Sequence, residues 1–184
     1  VPRTHRDPGP PRWAVHQAAA AATTGSLYHY FPGGKRELAR AVLIESGESY
    51  RQLFELIADE ADSAADGVLS FFDGAAQVLE DSDFIDLCPI GTVAREVAST
   101  DEDLRLVAAT VFDSWVDSAA RRLERDGIDP ATARELAEVL VTTLEGGFLL
   151  ARSRRDAGVL RRLGPRMSGL VTDALATSPS PRGR

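Results

Sequence analysis

What most constrains this chain is a helical apolar period that recurs along its length with no strand-like alternation beside it. Over residues 101–126, Leu104, Val107, Ala108, Val111, Phe112, Trp115, Ala119 and Leu123 fall at steps of three, four and seven. That spacing gathers them on one face of an α-helix but would scatter them over both faces of a strand. Thr100, with Asp103 three residues on, reads as a capping box at that helix's start. Asp129-Pro130 pairs a capping side chain with a proline suited to a first turn, and opens a helix to about residue 154. There Leu136, Val139, Leu140, Val141, Leu144, Phe148, Leu149 and Leu150 leave little polar face, so burial on most sides is expected.

The same reading predicts a helix from about residue 35, with Leu38, Val42, Leu53, Phe54, Ile57 and Ala61 near a buried stripe. Its spacing loosens between Ile44 and Tyr50, which admits a bend or break. Further helices are expected over 67–80 and about 156–176, with an irregular stretch at 81–91 punctuated by Cys88-Pro89-Ile90-Gly91. The predicted class is all-α.

Towards the N-terminus, residues 1–12 hold four prolines and a glycine, which oppose a helix. Residues 13–22 are alanine-rich and read as helical. Thr23 and Thr24 can cap a short helix to about Tyr30, ended by Pro32-Gly33-Gly34. The expected organisation is an irregular 1–12, a small head over 13–46, a larger helical body over 47–176, and a disordered tail over 177–184.

Composition narrows the function. With 43% apolar and 27% charged residues the chain is ordinary globular protein. No run approaches the roughly 20 apolar residues of a membrane helix, and no signal peptide is read, so a cytoplasmic protein without a membrane partner is expected. A single cysteine, Cys88, excludes an internal disulfide, and three histidines distant from it in sequence argue against structural zinc. The acidic run Glu80, Asp81, Asp83 and Asp86 lacks the pattern of a calcium loop. No nucleophile elbow, zincin, P-loop or dinucleotide motif is found, so neither enzyme activity nor a cofactor is expected. The net charge of -7 is uneven: residues 1–40 carry six basic side chains against two acidic ones. A basic end on an acidic body suits a nucleic-acid contact joined to a regulatory part.

The stretch Thr23-Thr24-Gly25-Ser26-Leu27-Tyr28-His29-Tyr30-Phe31-Pro32-Gly33-Gly34-Lys35-Arg36-Glu37-Leu38 carries the chemistry. A short helix preceded by another, then a tight turn and a basic helix start, is the layout of a helix-turn-helix reader. Thr23, Thr24, Gly25 and Ser26 are small enough for close approach to DNA. Tyr28, His29 and Tyr30 offer donors for phosphates and base edges, and Lys35 a charge for a phosphate. This stretch resembles the recognition helix of TetR-type transcriptional regulators, above all the LmrA/YxaF-like subgroup. Cys88-Pro89-Ile90-Gly91-Thr92-Val93-Ala94 and Leu144-Glu145-Gly146-Gly147-Phe148-Leu149-Leu150-Ala151-Arg152 are similar to segments of that subgroup's body.

The resemblance implies a ligand-responsive DNA-binding regulator, a repressor more readily than an activator, working as a homodimer on a palindromic operator. Thr23, Thr24, Gly25, Ser26, Tyr28, His29, Tyr30 and Lys35 then face DNA, while Leu27 and Phe31 face the head's core. A small-molecule effector enters the body, for which Phe72, Cys88, Phe112, Trp115 and Phe148 are the candidates. The last two helices pair between subunits, through Leu140, Leu144, Phe148, Leu163 and Leu170. Glu145, Arg152 and Arg95 either orient the ligand or pair structurally. Cys88, near a helix start, is either a low-pKa thiol or a small buried side chain closing a turn. Where family members carry a first helix this chain is proline-rich, so that helix is expected to be missing or disrupted, with His16 at a core position. The alternative is a dimeric small-molecule-binding protein of the same fold with a defective DNA-binding head.

Overall fold

The computed structural model describes residues 30–85 and 88–177. The chain divides into two compact units, residues 1–41 and 42–184. The expected helices over 13–30, save for Tyr30, the irregular 1–12 and the tail from residue 178 lie outside the described residues.

The described residues form helices and no strand. They are α1 (Gly34–Glu60), α2 (Ala64–Asp81), α3 (Pro89–Val97), α4 (Glu102–Arg125), α5 (Pro130–Arg154) and α6 (Gly158–Thr177). In the larger unit α2 packs along α6, α4 along α5, α5 along α6, and α3 on α4. Phe72, Leu79, Leu123, Leu160 and Val171 are fully or almost fully buried where these helices meet.

Local chemistry explains the element ends. The Ser63 hydroxyl accepts the Asp66 amide at 3.1 Å and caps α2. Asp129 accepts the Thr132 amide at 3.2 Å, with Pro130 in the first turn of α5. At α4 the cap is Asp101, which accepts the Leu104 amide at 3.1 Å. Thr100, expected in that role, instead donates its hydroxyl to the Glu96 carbonyl at 3.0 Å, closing α3. The stretch expected to be irregular through Gly91 turns helical at Pro89, because Cys88 serves as cap and proline fits a first turn.

Two further expectations change. α1 runs through 44–50 without a break. Gly47 is buried there, and a Cβ on it would lie 2.5 Å from Val111 Cγ1. The apolar stripe is interrupted because α4 approaches the bare backbone of α1, and Trp115 Nε1 donates to the Gly47 carbonyl at 2.9 Å. Leu53, counted in that stripe, is exposed. In α5, burial is one-sided: Ala133, Ala137, Leu140, Gly147 and Ala151 are covered, while Val139, Leu149 and Leu150 are 43–46% exposed.

One buried polar cluster ties the corner between α1, α2 and α4. Arg122 Nε donates to the Ala58 carbonyl at 3.0 Å, and its guanidinium also pairs with Asp126. The other Asp126 oxygen accepts the Ala64 amide at 2.6 Å, one of the orphan donors at the start of α2.

Candidate functional site

In the smaller unit the described part of the reader motif is its exit. The Gly34 amide donates to the Phe31 carbonyl at 2.7 Å, closing a turn over Pro32 and Gly33. Gly34 has φ of 69°, a left-handed conformation that favours glycine. Glu37 reaches back from α1 to accept the Gly33 amide at 2.7 Å. Lys35 is exposed in the first turn of α1, and Tyr30 is 74% exposed. Thr23, Thr24, Gly25, Ser26, Leu27, Tyr28 and His29 lie outside the described residues.

The larger unit encloses a cavity of about 260 Å³. Tyr50, Leu53, Phe54 and Ile57 of α1 line one side, at the repeat that brings one helical face inward. Val68, Phe71, Phe72 and Ala75 come from α2, Trp115, Ser118 and Ala119 from α4, and Leu140, Leu144, Glu145 and Phe148 from α5. Cys88, just before α3, adds its thiol. Of the ligand-binding candidates, Phe72, Cys88, Trp115 and Phe148 therefore meet at one cavity. Phe112 does not line it; its ring stands edge-on to Trp115, centroids 5.4 Å apart. Tyr50, 6.0 Å from the Trp115 ring, was not singled out from sequence. Its step of three, four and seven to Leu53, Phe54 and Ile57 was the available signal.

Leu140, Leu144 and Phe148, candidates for the subunit interface, line the cavity wall from α5. Leu163 packs on the core, and Leu170 stands 43% exposed.

The wall's polar groups are few. Trp115 spends its N–H on Gly47, and Ser118 donates to Glu55 Oε1 at 2.7 Å. Arg51 is held between Glu48 at 2.6 Å and Glu55 at 2.5 Å. Glu145 lies against Gly91 and Cys88: a Cβ on Gly91 would stand 2.3 Å from its Oε2. Its Oε1 is buried without a hydrogen-bond partner. Burial raises the Glu145 pKa, with the Cys88 thiol and the Arg95 charge offsetting part of the rise. Burial, reinforced by the Glu145 charge, also pushes the Cys88 thiol up, although amides of the first α3 turn pull the other way. The low-pKa thiol is thus overturned: desolvation outweighs the helix start, leaving Cys88 a buried, protonated side chain. Arg152 is exposed, and Arg95 is exposed with its Nε on the Gly91 carbonyl at 3.2 Å.

A raised carboxylate pKa has a consequence for stability. Above the ordinary value of 4.5 the unfolded chain ionises Glu145 more readily than the native state does. Native stability therefore falls as pH climbs from 4.5 towards the native pKa. Glu145→Gln is expected to raise the thermal midpoint by about 2–4 °C at pH 7.5, the scale of about 1 kcal/mol, and to bring no gain at pH 4. Melting curves at the two pH values check this, and a gain of the same size at both would contradict it.

A family model described as the C-terminal domain of LmrA/YxaF-like transcriptional regulators matches residues 64–165. An HTH-type transcriptional regulator of Mycobacterium tuberculosis is 38% identical over 142 residues, covering 74% of this chain and 71% of that protein. YxaF of Bacillus subtilis is 31% identical over 152 residues, with 83% and 80% covered. LmrA of the same organism is 28% identical over 138 residues, with 75% and 73% covered. The fold matches a TetR transcriptional regulator from Legionella pneumophila with a TM-score of 0.68 at 23% identity, over 91% of this chain and 86% of that one. A TetR regulator from Chloroflexus aurantiacus matches equally well, TM-score 0.68 over 86% and 83%. From the model match and the Mycobacterium and YxaF identities, the chain belongs to the LmrA/YxaF-like branch of the TetR family of transcriptional regulators.

Proposed function

We propose that this regulator is a ligand-responsive repressor that binds a palindromic operator in the cytoplasm as a homodimer and releases it when a small molecule occupies the cavity. The observation that carries this reading is the cavity itself. Well-packed interiors leave few voids larger than a water molecule, whereas this body keeps about 260 Å³ open among six aromatic side chains. Such a space, with a few polar groups at its wall, suits a small organic ligand. Release of DNA follows only if the ligand binds the DNA-free arrangement more tightly than the DNA-bound one.

The subunit contact we assign to the uncovered face of α5 together with Leu170 of α6. Val139, Thr143, Gly146 and Leu150 recur at steps of four, three and four, a continuous helical stripe. A Cβ on Gly146 would meet nothing within 4 Å, so a second helix can lie close there. Two readers on a symmetric dimer match half-sites about one DNA turn apart, or a multiple of it.

DNA contact falls to Thr23, Thr24, Gly25, Ser26, Tyr28, His29, Tyr30 and Lys35. Lys35→Ala is expected to weaken operator binding and to reduce the salt slope of log K by about 1 per subunit, as one phosphate contact is lost. Tyr28→Ala is expected to weaken binding with dimerisation intact. Fluorescence anisotropy across a salt series measures both. Normal binding by the two variants would mean that the reader lies elsewhere.

A further inference from the structure

We propose that the effector is an amphipathic organic cation, an apolar body carrying one amine, whose ammonium group pairs with Glu145. This rests on the cavity being the effector site and adds the chemical class of its occupant. The wall is almost wholly apolar, and its polar groups are satisfied from within the protein, with one exception. Trp115 N–H, the Ser118 hydroxyl and the Arg51 guanidinium each have a partner on the chain. Glu145 Oε1 is, among the described residues, the buried side-chain polar atom that has none.

What the site lacks is therefore a donor, not an acceptor. A buried carboxylate oxygen without a partner is costly, and a ligand that supplies an N–H removes that cost. A cation gains more than a neutral donor, because it also compensates the charge. The aromatic wall favours the same choice, since Tyr50, Phe54, Phe71, Phe72, Trp115 and Phe148 offer ring faces that attract a positive charge. Arg51, the wall's own cation, does not repel such a guest strongly, because Glu48 and Glu55 share its charge. Arg95, which partly compensates Glu145, is exposed and lies outside the cavity lining.

The test compares phenylbutylamine, phenylbutanol and phenylbutyrate, which share an apolar body and differ in the polar end. Binding to the full chain is read from Trp115 emission in a Trp13→Phe background. The amine is expected to bind at least ten times more tightly than the alcohol, and the carboxylate least. In Glu145→Gln the preference of amine over alcohol should disappear while the alcohol still binds. If the three probes bind alike, or the carboxylate binds best, the cation assignment is overturned and the cavity stands as a ligand site. If none binds to folded protein up to millimolar concentration, the effector-site reading itself fails. Should Glu145→Gln not fold, the ranking of the three probes on the unmutated cavity decides alone.

Discussion

Arg122→Ala is expected to lower the unfolding free energy by about 3 kcal/mol, the cost of breaking a buried ion pair by removing one partner. For a chain of this size that corresponds to a fall of about 6–12 °C in the thermal midpoint. The substitution strips a donor from the Ala58 carbonyl and leaves Asp126, whose side chain is 21% exposed, with only the Ala64 amide and little water. The direct tie between the end of α1 and the last turn of α4 is lost, and the Asp126 cap on the start of α2 loses its partner charge. The effect should reach the cavity, because Phe54 lines it one turn before Ala58. Arg125 provides the contrast. It pairs with Asp59 at 2.7 Å, but both side chains are 59% exposed, and solvent screens such a pair. Arg125→Ala should barely move the midpoint; equal shifts for the two variants would show that burial of Arg122 is not what matters.

A larger functional effect is expected from the α5 stripe. The double variant Val139→Glu, Leu150→Glu should turn the proposed dimer into a monomer and weaken operator binding by about 100-fold or more, the avidity lost when two linked readers become one. Both residues are nearly half exposed in the single subunit, so the charges cost its folding little. Sedimentation velocity gives the assembly state and a melting curve gives the fold. Persistence of the dimer would move the interface to another face. Loss of the folded subunit would mean that this face is buried within it.

The sequence was most legible where a single residue's chemistry decides the structure. Asp129-Pro130 marks the start of α5 because a carboxylate cap and a proline at the first turn have few other uses. It was least legible where the partner matters. The loosened spacing between Ile44 and Tyr50 suggests a break because periodicity registers side chains, whereas Gly47 within it lets Val111 and the Trp115 indole reach the backbone. Thr100 and Asp101 are both good caps, and only the path of the chain shows which side chain meets the Leu104 amide. The cavity had the same ambiguity. Phe112 and Trp115 share a helical face, yet of the two only Trp115 lines the cavity, with the Phe112 ring set edge-on against it. A period tells which face turns inward, but not which inward residues face each other and which face a space. Leu140, Leu144 and Phe148 belong to that second group.

Whether this regulator reads DNA is decided by selection of genomic fragments on the purified, folded protein. Recovery of a palindromic site whose affinity falls steeply as salt rises is expected. Failure of a folded dimer to enrich any site would contradict it, and would leave the cavity-bearing body as a small-molecule binder without a working reader.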